Sequence, residues 1–167
     1  RQDDFKAFYE KVVEADGVLF VDPIFESGAT GLYHSITDRM GPGHDTGMMK
    51  MLDGKLKEAG KEGLNPRYFR QKALSFVGIG GSDWAVRCET DHAMFALSPG
   101  WKVVNNEFFS WCKDVIMQDD KVERMKEIGR NLADAAQQII DEDMQIEGSE
   151  KTSLWKGKEG ACPHCQG

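Results

Sequence analysis

A chain of 167 residues suits one domain with a sizeable core and at most a small appendage. With 28 acidic against 21 basic side chains its net charge is -7, which leaves no basic surface by composition for neutralising the phosphates of a nucleic acid. No run approaches the roughly 18 to 20 apolar residues of a membrane span, and the opening RQDDFKAFYEK is not a secretory signal, so a soluble, cytoplasmic protein without membrane or nucleic-acid partners is expected.

The chain opens on Arg1 with a helix already under way, as expected of a piece of a longer protein. In DDFKAFYEKVVEAD, apolar Phe5, Phe8, Tyr9, Val12 and Val13 fall at helical spacing behind Asp3 and Asp4 in the first turn. GVLFVD is a short β-branched run of the kind that forms a strand covered on both faces, and Pro23 ends it. Helix is expected again over 31–40, with Leu32, Ile36 and Met40 on one face. The polar stretch 41–71 is expected to run over the surface, with a helix over 48–59 and breaks at its glycines and Pro66. A second strand, Ala73–Ile79, opens into Gly80, Gly81 and Ser82. ETDHAMFALSPG suits a short helix that stops before Pro99, WKVVNNEFF a third strand, and DDKVERMKEIGRNLADAAQQIIDEDM a strong amphipathic helix capped by Asp119 or Asp120.

Strands alternating with helices predict a parallel sheet in a three-layer α/β sandwich, with ligands at the carboxyl ends of the strands. Two glycine-bearing loops, 22–31 and 78–84, follow such ends and are expected to lie side by side. Small residues there let backbone N–H groups approach a flat polar ligand, and the helix that follows adds a positive dipole end. Phe25 and Trp84 offer aromatic surface for a ring. The same glycines also serve ordinary turns.

At these residues the chain resembles the NADPH-dependent FMN reductase family of the flavodoxin-like superfamily. There, a similar helix leads into a strand ending Ser/Thr-Pro-x-Tyr/Phe, a loop with Gly and Ser, and a helix closing in Asp-Arg. The matching positions are Pro23, Phe25, Ser27, Gly28, Gly31, Asp38 and Arg39, and ALSFVGIGGSDW resembles the family's next strand and loop. A late Cys-Pro-x-Cys is similar to that of one subgroup. The resemblance implies a flavodoxin-like domain over 1–145, followed by a tail over 146–167. It implies FMN held along one edge by Pro23, Ile24, Phe25, Glu26, Ser27, Gly28 and Ala29, and along the other by Gly80, Gly81, Ser82 and Trp84. It further implies NAD(P)H as co-substrate, a quinone, flavin or small aromatic compound as electron acceptor, and a homodimer or homotetramer. The alternatives are a non-catalytic electron carrier and a cofactor-free interaction domain.

The chain also departs from that pattern. The family's first strand and its Ser/Thr-rich phosphate loop are absent, so the strand over 17–22 is expected to keep an unpaired apolar edge where a 2-1-3-4-5 sheet has its centre. Glu26 stands where aromatic or small residues are usual, and its carboxylate repels a reduced, anionic flavin.

Three readings of Cys162 and Cys165 stand: a loose tail with two exposed thiols, half of a zinc site, or a redox pair. His34, the pairs His44–Asp45 and Asp91–His92, and buried Cys88 and Cys112 receive no chemical role. Met48, Met49 and Met51 are expected at a subunit interface or in a flavin lid, and 41–71 is expected to cover the flavin.

Overall fold

The three apolar runs become three parallel strands, β1 (Gly17–Pro23), β2 (Ala73–Ile79) and β3 (Lys102–Phe109), in a computed structural model that describes residues 3–164. They pair in the order β1-β2-β3, so β2 is central and β1 is a sheet edge among the described residues. Around them lie α1 (Phe5–Glu14), α2 (Gly31–His44), α3 (Thr46–Glu58), α4 (Cys88–Leu97) and α5 (Asp119–Asp141).

Alternation along the strands divides the core into two layers. On one face Phe20, Leu74, Phe76 and Val103 pack with Val12 of α1, Tyr33 and Met40 of α2, and Phe95 and Ala96 of α4. Phe20 is the hub, its ring 5.6 Å from Phe76, 5.5 Å from Tyr33 and 5.5 Å from Phe95. On the other face α5 covers the sheet, burying Ile128, Ala135 and Ile139 against Ala73, Val77 and Val104, with Met144 and Leu154 of the segment after it completing the layer. This is the expected three-layer sandwich.

Local departures have identifiable causes. The α5 face of β1 is closed only at its start, where Gly17 abuts Leu132 and Ala136; beyond it Leu19 and Val21 are 43% and 58% exposed, so β1 is not covered on both faces. In α2 the buried side chains are Tyr33 and Met40, while Leu32 is 71% exposed, which rotates the packed face from the one expected. The helix is kinked at Gly41, whose φ of 31° lets the chain turn before Pro42. Gln118 rather than Asp119 or Asp120 is the N-cap of α5, without a side-chain bond, and the two acids lie in its first turn.

The excursion 41–71 is fastened at the amino ends of the strands. Asp45 caps α3 by accepting from Met48 N–H, Thr46 Oγ1 donates to the Pro99 carbonyl just before β3, and Arg67 Nη1 donates to Asp16 just before β1. A cover over the glycine loops at the opposite rim is therefore not what this segment provides within the chain. Residues after α5 return to the sheet, where Lys156 N–H bonds the Val104 carbonyl and Leu154 is buried. No helix among the described residues is long and apolar enough to cross a membrane.

Candidate functional site

The parallel pairing of β1 with β2 runs to its last pair, Pro23 opposite Ile79, and Ile24 N–H then donates to the Ile79 carbonyl at 2.9 Å. Both chains therefore leave the sheet at one point, and the two glycine-bearing loops face a shared cavity of about 120 Å³. Ile24, Glu26 and Ser27 line it from the first loop; Gly80, Gly81, Ser82, Trp84 and Ala85 line it from the second. Of the residues expected at a flavin edge, Pro23, Phe25, Gly28 and Ala29 are not in this lining. Pro23 still belongs to β1, Phe25 is 68% exposed, Ala29 is buried, and Gly28 backs onto Asp91 and Arg87.

A third loop supports the second. Gly80 N–H donates to the Phe109 carbonyl at 3.0 Å, Cys112 N–H donates to the Gly80 carbonyl at 2.9 Å, and the Lys113 methylenes lie against Gly81. Trp111, between them, has a φ of 54° and an indole 64% exposed.

The first loop is a tight turn. Gly28 N–H donates to the Phe25 carbonyl at 3.2 Å, and the two residues between, Glu26 and Ser27, have φ of 47° and 72°. Two successive positive φ values define a type I′ turn, normally served by Asn-Gly or Gly-Gly because other side chains crowd the backbone there. Such outliers persist only where their surroundings enforce them, and they cluster at functional sites.

Those surroundings are polar and largely buried. Asp22, 6% exposed, accepts from Thr30 N–H at 2.8 Å and from Thr30 Oγ1 at 2.6 Å, and Thr30 Oγ1 in turn accepts from Tyr33 N–H to cap α2. His92 Nε2 lies 3.4 Å from Asp22 Oδ2, its ring packed between Tyr33 and Phe76. Burial holds the His92 imidazole below its ordinary pKa despite Asp22, so it is neutral near pH 7. Asp91 accepts from Ala29 N–H at 3.3 Å, and Arg87 N–H donates to the Ser27 carbonyl at 3.1 Å. Asp22 and Asp91 thus bring two carboxylates beside the start of α2, bonded to its N-cap Thr30 and to Ala29 before it. Cys88 Sγ sits 3.7 Å from His92 Nδ1, but burial, and then the Asp22 charge, push its thiol up to about 12, which keeps it protonated and unreactive.

Asp22, Thr30, Arg87 and Asp91 were not recognised from sequence as parts of the site. The available signal was an Asp ending an apolar strand eight residues before a Thr at a helix start. The partners on α4 gave none, because a tertiary contact brings them in.

The residues present suit the edge of a flat heterocycle. At the cavity, Glu26 N–H and Ser27 N–H have no hydrogen-bond partner among the described residues. Ile24 and Ala85 supply apolar wall. The volume is below the roughly 300 Å³ at which small-molecule pockets begin, so the cavity has room for part of a drug-sized ligand and not for the whole of one.

The other candidates resolve as structure. His34 Nε2 is 3.9 Å from Asp91 on the surface. His44 stacks on Phe95 with centroids 4.9 Å apart, and burial lowers its pKa. Met49 is buried, whereas Met48 and Met51 are exposed on α3, away from the cavity, so they form no lid over it within the chain. Cys165 lies outside the described residues, and among those described no group of three His, Cys, Asp or Glu side chains is placed to hold a metal.

A family model described as NADPH-dependent FMN reductase matches residues 1–115. The solved structure of a flavone reductase is 41% identical, with a TM-score of 0.85 over 98% of this chain and 53% of that one, so the chain spans about half the length of this relative. A second structure, described as NADH:FMN oxidoreductase (EMOB) in its apo form, is 18% identical over 92% of this chain and 66% of that one, with a TM-score of 0.45. No curated protein matches the chain significantly.

Proposed function

Because the chain belongs to the NADPH-dependent FMN reductase family, we propose that the protein is a flavin-dependent oxidoreductase that takes hydride from NAD(P)H and passes it to a small planar acceptor. The observation that carries this reading is the meeting of the loops after β1 and β2 at one cavity. FMN, when bound, supplies the hydride chemistry.

The chain's own part is binding and orientation. Glu26 and Ser27 would hold one ring edge through their backbone N–H groups, opposite Gly81 and Ser82, while Ile24 and Ala85 exclude water. Trp84, 74% exposed, would offer an aromatic face to the acceptor. The Glu26 carboxylate disfavours negative charge on the bound ring, which favours onward transfer of electrons. The site requires no side chain as acid or base. The 41% sequence identity to a flavone reductase supports an aromatic acceptor, with quinones and flavins in the same shape class.

Spectroscopy of the purified full-length protein tests this. Flavin absorption bands bleached by NADPH without oxygen are expected. Bleaching only by dithionite would instead indicate an electron carrier, and a colourless protein indifferent to added FMN would remove both readings.

A further inference from the structure

Two non-glycine residues in succession, Glu26 and Ser27, are held at φ of 47° and 72°, a conformation that the chain does not adopt unaided. The turn's own bond, Gly28 N–H to the Phe25 carbonyl at 3.2 Å, is long. What encloses the turn is a set of bonds at its base. On entry Ile24 N–H is fixed to the Ile79 carbonyl. On exit Ala29 N–H is fixed to Asp91, and Thr30, through both N–H and Oγ1, to Asp22.

Asp22 differs from the rest because it belongs to β1 itself. Its carboxylate reaches from the last-but-one residue of the strand to the residue that caps α2, and so draws together the two ends of the 23–29 loop. It is not needed to cap the helix, since Thr30 does so through Tyr33 N–H. Its own position is fixed from behind by His92, which is fully buried between Tyr33 and Phe76. A rigid strand, a buried imidazole and a helix cap thus converge on one carboxylate.

We propose that Asp22 is a positioning residue: by clamping Thr30 it holds the Glu26–Ser27 turn in its left-handed form and so presets the loop that grips the flavin. The last clause rests on the flavoprotein reading; the clamp itself does not. Pre-shaping of this kind acts on affinity because a ligand need not then order the loop.

The test uses the full-length protein and two readouts, hydrogen exchange of the 23–30 segment and the dissociation constant for FMN. Asp22→Asn is expected to speed exchange in that segment and to weaken FMN binding, each by roughly tenfold, as the turn relaxes. Adding Glu26→Gly and Ser27→Gly to Asp22→Asn should recover most of both losses, because glycine adopts the left-handed form without a clamp. A general loss of folding would not be repaired in that way. Should Asp22→Asn fail to fold, Thr30→Val, which removes the Oγ1 donor to Asp22 together with the α2 cap on Tyr33 N–H, carries the comparison over 23–29 with the same glycine pair, exchange over 31–35 reporting the lost cap separately. Unchanged exchange in the clamp variant, or no recovery with the glycines, overturns the proposal. If the unaltered protein binds no FMN, the flavin reading fails by itself, and exchange still decides the clamp.

Discussion

Ile24 and Ile79 are joined by a backbone hydrogen bond of 2.9 Å one residue past the end of β1, and that bond brings two separate loops to one cavity. From it the first loop turns back through Glu26 and Ser27, while the second passes Gly80 and is tied to the end of β3. The candidate ligand edge is therefore built on the sheet, with the loops adding only what the strands cannot present.

The glycines of this region are not equivalent. A Cβ at Gly80 would stand 2.8 Å from Phe108 Cε2, whereas one at Gly31 meets nothing within 4 Å. Gly80→Ala should destabilise the protein by about 1–3 kcal/mol through overpacking. Gly31→Ala, in the first turn of α2, should stabilise it by about 0.5 kcal/mol through reduced chain entropy. Urea midpoints of the two variants measure this contrast, and equal effects would contradict it.

Trp111 tests whether positive φ carries a real cost. Its φ is 54° and its ring is 64% exposed, so little apolar burial is lost on removing it. Trp111→Gly should raise stability by about 1 kcal/mol, the order of the left-handed penalty for a residue with a Cβ. A clear loss of stability would show that the indole is held by more than its backbone.

Lys72 gives a pH-dependent prediction. It is 1% exposed, with Nζ donating to the Val13 and Ala15 carbonyls at 2.6 Å each at the end of α1. Burial, reinforced by the Arg67 charge, pushes its pKa down to about 8. In the unfolded chain a lysine titrates near 10.4, so between these values the unfolded state binds more protons and stability rises with pH. Below pH 8 both states are protonated and the contribution is flat. Unfolding free energies of the unaltered chain minus those of Lys72→Met should therefore rise by roughly 2–3 kcal/mol across that window. A difference that stays flat would contradict the assignment.

Much of the fold was legible because its signals are local. β2 runs from Ala73 to Ile79 as its apolar run indicates, and α5 repeats its buried side chains at helical spacing through Ile128, Ala135 and Ile139. The meeting of the two loops followed from parallel topology alone. What sequence periodicity did not show depends on partners distant along the chain. Leu19 and Val21 read as buried by residue type, yet α5 covers β1 only near Gly17. The polar stretch 41–71 read as a cover for the cofactor, yet Thr46 and Arg67 fasten it to Pro99 and Asp16 at the far ends of the strands. Asp22 could be seen as the end of a strand, but its partner His92 is brought to it by α4 packing, which no local pattern encodes.

The central claim is that the segments after β1 and β2 together hold one flat ligand. Hydrogen exchange of the full-length protein with and without saturating FMN tests this directly. Joint protection of 24–29 and 80–84, with 41–71 unchanged, is expected. Protection of only one of the two loops, or protection centred on 41–71, would contradict it.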